Sequence, residues 1–346
     1  MDSFNRALTG LSGIRRFATP RLVLSLAGLF LVILAACDFR VNIPGKVYHH
    51  FIVFDITQSM NVKDIALGDD QVSRLQYSKK LVIEALADLP CGSEIALGIF
   101  TGHRSFALFK AVEVCEHYTE ISSAIDAIDW RMAWEARSEV SKGIFSALEV
   151  SENLLDEPVN VVFLTDGHEA PPLHETYRPK YSGQNKAVSG AIIGIGGSLP
   201  VPIPLYSYKG NFIGYWKAGQ VLQVDNYSLG RSTNDGKAPV GVDDENLQKR
   251  IEQGTEHLSS LKESHLQELS RTLNLHYFNA SPGTDLKALL KSREFISKKT
   301  KSTVLAPYFS ALALLCFLLF YLWQSLRRVA DKSWPAVLKR ADDKLR

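Results

Sequence analysis

Two stretches of the 346-residue chain carry no charged side chain, residues 22–37 and residues 302–326, and any fold has to accommodate both. The first, LVLSLAGLFLVILAAC, is 16 residues long, and the second, which contains ALALLCFLLFYLW, is 25. At a helical rise of about 1.5 Å per residue the second is long enough for one membrane span. The first reaches only about 24 Å against a hydrocarbon core of roughly 30 Å. Arg15, Arg16 and Arg21 precede it, so it reads as a signal anchor or a signal peptide.

The apolar runs divide the charges into three blocks. Residues 1–21 hold four Arg and one Asp, and residues 327–346 hold seven basic and three acidic side chains; with a total of +2, residues 38–301 carry −5. By the positive-inside rule the two basic ends, 1–21 and 327–346, are expected in the cytoplasm and the middle block in the periplasm of a bacterial inner-membrane protein, in contact with lipid. Lys298, Lys299 and Lys301 oppose this orientation without reversing it. The first run ends in Leu34-Ala35-Ala36-Cys37 before Asp38, similar to a lipobox, so either Cys37 is lipidated after cleavage or the helix is retained as an anchor; the long stretch ahead of Leu22 favours the anchor. A total charge this balanced argues against nucleic acid as a partner. With 46% hydrophobic and 22% charged residues the chain is also not of the disordered class.

Of four cysteines, Cys37 and Cys316 belong to the apolar runs, which leaves Cys91 and Cys115. Between them lie two strand-like runs, 95–101 (IALGIFT) and 106–112 (FALFKAV), around Gly102-His103-Arg104. A hairpin centred on His103 sets both cysteines twelve residues from the centre and opposite each other, where facing Cβ atoms lie about 4.5–5.5 Å apart. The expectation is a Cys91–Cys115 bridge formed in an oxidising compartment, with two buried thiols as the alternative.

Residues 47–292 alternate between strand-like and helix-like stretches. Apolar strands at 47–54, 159–164 and 191–195 are interleaved with helical spacing at 72–89, 140–155 and 261–274. This predicts an α/β domain with a doubly wound, mostly parallel sheet covered on both faces and flanked by N- and C-terminal membrane helices. Residues 200–248 break the rhythm. Their glycines (Gly210, Gly214, Gly219) and aromatics (Tyr206, Tyr208, Phe212, Tyr215, Trp216) predict a β-rich insertion, which packs on itself or presents a docking surface. Its acidic end, Asp243, Asp244 and Glu245, matches no EF-hand and reads as a solvated loop.

Ligands of such sheets sit beyond the carboxyl ends of the strands. There Asp55-Ile56-Thr57-Gln58-Ser59 follows one strand and Thr165-Asp166-Gly167 another. Carboxylates and hydroxyls converging on one sheet edge are hard oxygen ligands suited to Mg²⁺ or Ca²⁺, and no Cys or His cluster with zinc spacing competes. The ordinary alternative for Asp55 is a helix N-cap.

The pattern resembles a von Willebrand factor A domain with a metal-ion-dependent adhesion site, a Rossmann-like fold with the motif Asp-x-Ser-x-Ser, a distant Thr and a distant Asp. Asp55, Thr57 and Ser59 match the first part, with Thr57 in place of a Ser, and Asp166 matches the last. Ser138, in the run from Ser138 to Leu148, stands at the distant Thr, with Thr101 as its competitor. The resemblance covers about residues 47–292 and implies a metal ion that takes a carboxylate from a client protein. Leu164-Thr165-Asp166-Gly167-His168-Glu169-Ala170-Pro171-Pro172, then Gly194-Ile195-Gly196-Gly197 and Glu256-His257-Leu258-Ser259-Ser260-Leu261, are similar to the narrower MxaL-type group of methanol-oxidation clusters. That similarity implies an accessory role in assembly or Ca²⁺ loading of a methanol dehydrogenase-type quinoprotein, together with a MoxR-type AAA+ ATPase. An adhesion module of the same fold with an unrelated client is the alternative.

Other signals are weaker. His168 and Glu169 are a candidate acid–base pair, but no nucleophile or substrate motif accompanies them, so no enzyme is expected. Gly194-Ile195-Gly196-Gly197 lacks the spacing of a dinucleotide fingerprint. His49 and His50 alternate on a strand and so face opposite sides. Trp130, Arg131, Trp134, Glu135 and Arg137, just ahead of Ser138, are candidates for rim contacts around the metal.

Overall fold

Every side chain of the strand His49–Asp55 is buried, as a continuous apolar run requires when both faces of its sheet are covered. The computed structural model describes residues 20–37, 39–43, 46–153, 159–173, 178–183, 189–223, 254–297 and 301–322. They fall into two units, Gly45–Lys301 and the paired chain ends, Met1–Pro44 with Ser302–Arg346.

In the larger unit His49–Asp55 pairs in parallel with Glu94–Thr101 on one side and Asn160–Thr165 on the other. Gly190–Gly194 and then His276–Asn279 extend the sheet in parallel. Arg104–Glu113 closes the opposite edge as an antiparallel strand, giving six strands in all. Alternate residues of one strand enter two cores. Ile52 and Phe54 pack with Leu75, Val82 and Leu86 of helix Arg74–Leu86 and with Leu286 of Leu286–Leu290. Phe51 and Val53 pack with Val140 and Ile144 of helix Val140–Asn153 and with Leu266 of helix Glu263–Leu273. The fold is thus mixed α/β with a mostly parallel central sheet covered on both faces, as the alternating pattern predicts.

The two edges differ from the interior. His276–Asn279 is only four residues long. Arg104–Glu113 shows register shifts opposite Ile95/Leu97 and Leu97/Gly98, and its outward positions include Arg104 and Lys110. The expected bridge is present at the base of this hairpin: Cys91 and Cys115 are disulfide-bonded with Cα atoms 5.2 Å apart. His49 and His50 are both buried. His50 stacks on Tyr48, meets Phe295 edge-on and lies 3.0 Å from the Leu290 carbonyl oxygen through Nε2.

The described start of the 200–248 segment holds short antiparallel pairs: Val201–Pro202 with Leu258–Ser259, beyond that segment, and Pro204–Tyr206 with Phe212–Tyr215. Asp243, Asp244 and Glu245 lie outside the described residues.

The smaller unit corrects the expected extent of the membrane segments. The chain does not enter a helix at residue 302. Lys301–Val304 is a strand paired with Arg40–Ile43, and the helix occupies residues 306–322 of the described chain. Thr303 and Val304 are β-branched, and Pro307 suits only the first turn of a helix, so the backbone changes state at this point. The first helix is Pro20–Ala36. Among the described residues no helix is long and apolar enough to cross a membrane. The two helices pack side by side and antiparallel: Gly28 lies against the Phe317 ring and Phe39 meets Phe309 edge-on. Their outward residues, Leu26, Leu29, Phe30, Ile33, Leu314 and Leu318 among them, leave large apolar side chains exposed.

Candidate metal centre

Asp55 ends its strand at the carboxyl edge of the sheet, and its carboxylate gathers the next loop around it. Oδ1 accepts from the Thr57 backbone N–H at 2.9 Å and from the Thr57 hydroxyl at 2.6 Å. Oδ2 accepts from the Thr165 hydroxyl at 2.6 Å, across from the neighbouring parallel strand. The following helix, Arg74–Leu86, is capped by Ser73 in a capping box with Gln76, so Asp55 is not its N-cap.

Ser138 comes from a third loop, and its backbone is clamped on both sides. Its N–H donates to the Ala170 carbonyl at 2.9 Å, its carbonyl accepts from Ala170 N–H at 2.7 Å, and it bridges Gly102. Thr101, its competitor, is fully buried, and its hydroxyl has no hydrogen-bond partner.

Thr57 donates to Asp55 at 2.6 Å and Ser138 to the His168 carbonyl at 2.8 Å, while the Ser59 hydroxyl lies 3.4 Å from that of Thr57. With their protons directed to these acceptors, the Thr57 and Ser138 oxygens keep lone pairs for a further partner. Thr57, Ser59 and Ser138 all line one small cavity of about 30 Å³, whose other walls include His168, Ile203, Trp216 and Glu256. Such a donor set fits a hard divalent cation held by hydroxyl oxygens with carboxylates behind them.

The electrostatics point the same way. Asp55 is fully buried with only neutral donors on its oxygens; burial, then the neighbouring Asp166, push its pKa up to about 7. Burial would raise Asp166 too, but the Arg74 guanidinium, His168 and its backbone bond hold it below the ordinary range. Of the two carboxylates, Asp55 is the one that lacks a cation.

Arg74 has no counterpart in the sequence reading. It is completely buried and donates from NH1 to Asp166 Oδ2 at 2.5 Å and from NH2 to Asp64 Oδ2 at 2.7 Å. Charged residues are so rarely enclosed that no pattern marks this one in advance.

His168 and Glu169 do not form an acid–base pair with each other. His168 Nε2 lies 3.2 Å from the Glu256 carbonyl oxygen, and burial lowers its pKa. Glu169 Oε1 accepts the Ser141 N–H at 2.8 Å in the first turn of Val140–Asn153 and the Ser141 hydroxyl at 2.7 Å. His265 Nε2 faces both Ser141 and Glu169, at 3.4 and 3.2 Å. A relay needs histidine between acid and nucleophile, each on its own nitrogen, whereas this cluster is a helix cap.

None of the residues expected at the rim, Trp130, Arg131, Trp134, Glu135 and Arg137, lines this cavity, and the two tryptophans make aromatic contacts elsewhere. Trp130 stacks on Tyr206 of the insertion at 5.8 Å, and Trp134 meets Phe106 edge-on at 4.9 Å. Trp134 is 58% exposed, Phe212 54%, Tyr215 55% and Tyr208 95%, so large aromatic surface faces solvent. Glu135 pairs with His103 and Arg137, and Arg131 with Asp129.

The chain matches no described protein family and no curated protein. Among solved structures it is similar to the conserved hypothetical protein BatB from Bacteroides thetaiotaomicron, at 13% identity and a TM-score of 0.44, covering 70% of this chain and 95% of that one. It is similar to an aerotolerance-related membrane protein from Bacteroides fragilis at 15% identity and a TM-score of 0.45, covering 72% and 98%. A von Willebrand factor type A protein from Catenulispora acidiphila aligns at 13% identity and a TM-score of 0.31, over 45% of this chain and 35% of that one. Each of these scores lies below 0.5, and the fold stands on the sheet order and connections described above. With five parallel strands, one antiparallel edge strand and helices on both faces, the chain has a mixed α/β fold built on a mostly parallel central sheet.

Proposed function

We propose that this protein is a metal-dependent interaction module, in which Thr57, Ser59 and Ser138 hold Mg²⁺ or Ca²⁺ with Asp55 and Asp166 behind them, and a client protein supplies a carboxylate to the ion. The observation that carries this reading is the convergence of the three hydroxyls on one cavity, with those of Thr57 and Ser138 donating to Asp55 and to the His168 carbonyl. When bound, the ion supplies positive charge for an anionic partner group. The chain's residues position it, and Ile203 and Trp216 offer apolar contact area beside it.

The specific client, a methanol dehydrogenase-type quinoprotein loaded with Ca²⁺ alongside a MoxR-type ATPase, rests on the sequence resemblance alone. Membrane attachment rests on the paired helices, whose exposed leucine and phenylalanine side chains suit lipid better than water. We infer from this pair and from the basic chain ends an inner-membrane protein with a periplasmic main domain.

Affinity capture from solubilised membranes, with Mg²⁺ or with EDTA, tests the reading. A client recovered only with metal, and lost in Asp55→Ala, is the expected result; a quinoprotein among the recovered proteins supports the specific role, and another client supports the adhesion alternative. Recovery that ignores EDTA and Asp55→Ala overturns the metal-dependent module.

A further inference from the structure

The Arg74 guanidinium divides its donors in an unusual way. Its Nε and NH2 edge already matches Asp64, at 3.1 and 2.7 Å, a complete bidentate pair. NH1 is turned away from that pair, onto Asp166 Oδ2 at 2.5 Å and the Ser259 hydroxyl at 2.6 Å, and NH2 also reaches the Ser259 carbonyl at 3.2 Å. Asp166 Oδ1 accepts the His168 N–H at 2.9 Å. The chain has shaped its surroundings to keep the guanidinium there. Gly196, at φ +123°, would set a Cβ 2.6 Å from Arg74 Nε, and the Gly197 N–H donates to Asp64 Oδ2 at 2.9 Å. The glycine run after Gly190–Gly194 is thus the cover of a buried cation.

Charge counting gives this a consequence. Asp55, Asp64 and Asp166 ionised, with Arg74 among them, sum to −2, which a divalent ion brings to zero. Without the guanidinium the same loaded centre would keep one negative charge and repel a partner's carboxylate. We propose that Arg74 is a built-in counter-cation of the metal centre: it pins Asp166, lowers the centre's affinity for its ion and leaves the loaded centre open to an anionic partner group. This rests on the metal reading above, and Arg74 acts through Asp166 as a positioning residue.

The test is Mn²⁺ titration of the full-length protein by calorimetry, with and without acetate as a soluble carboxylate. Arg74→Gln is expected to bind Mn²⁺ about tenfold more tightly than the natural protein and to lose the strengthening by acetate. Arg74→Lys, which keeps the charge, stays near the natural affinity. Asp64→Asn, which removes an acid at the partly open end of the pair and is the milder change, moves the other way and binds more weakly. A merely structural role would weaken Arg74→Gln and Asp64→Asn alike. Folded variants that change in the same direction, or an acetate response untouched by Arg74→Gln, overturn the proposal while leaving the metal centre standing. If Arg74→Gln does not fold, the acetate response of Asp64→Asn decides: it grows under the proposal, because the loaded centre is then net positive, and a diminished response overturns it. Absence of Mn²⁺ binding in the natural protein, with binding gained in Arg74→Gln, keeps the counter-cation and overturns the metal-dependent module. Absence in both removes both.

Discussion

Ser138 and Ala170 exchange two backbone hydrogen bonds, so the loop that carries the third hydroxyl and the loop that carries Asp166 move as one piece. The side chain of Ser138 is not needed for that clamp. Ser138→Ala should therefore fold and lose only its bond to the His168 carbonyl, at about 1 kcal/mol of stability. Its rise in melting temperature on adding Mg²⁺ should be smaller than that of the natural protein; thermal unfolding with and without the ion measures both, and an undiminished rise would remove Ser138 from the ligand set.

Gly143 sits in helix Val140–Asn153 directly beneath the Phe100 ring, where an added Cβ would lie 2.2 Å from Cε2. Alanine is ordinarily the better helix former. Here the overlap should win, and Gly143→Ala should lower stability by about 1–3 kcal/mol, read from urea midpoints. A neutral or stabilising result would mean that this face of the sheet has slack.

The Cys91–Cys115 bridge closes a loop with a sequence separation of 24. Replacing both residues by serine should cost about 3 kcal/mol, and the same loss should follow reduction of the natural protein. Equal stability with and without reductant would show that the base of the hairpin holds by its hydrogen bonds alone.

Burial holds His50 at a pKa of about 4, below its ordinary 6.5, and only its bond to Leu290 works against this. The unfolded chain takes up the proton first, so stability is complete above the unfolded value and falls as pH drops from 6.5 toward 4. The expected loss is about 3 kcal/mol across that window, and His50→Gln should flatten it. A slope that survives in His50→Gln would assign the acid sensitivity to another group.

The sequence carries the sheet because each central strand is an apolar run ending in a polar loop. His49–Asp55 is enclosed on both faces, and Asp55 stands at the place where its pattern changes. Thr57, Ser59 and Ser138 stand out in the sequence as hydroxyls at fixed spacing around acidic loops, and the fold brings all three to the wall of one cavity. Arg74 does not, since its partners come from positions 64, 166 and 259, which no local period connects. Nor does the break at residue 305, where an uncharged run contains both a strand and a helix. Hydropathy sums the side chains over a window and does not register the β-branched pair or Pro307 inside it.

Both margins of the central sheet are guarded. At one, four residues offer too little backbone to template a further strand; at the other, register slips and outward Arg104 and Lys110 spoil a regular ladder. Regular strand addition is therefore disfavoured at these two margins. On the function proposed above, recognition falls to the crest formed by the loops of Thr57, Ser138 and Asp166, where a visitor presents a side chain end-on and does not borrow the domain's backbone.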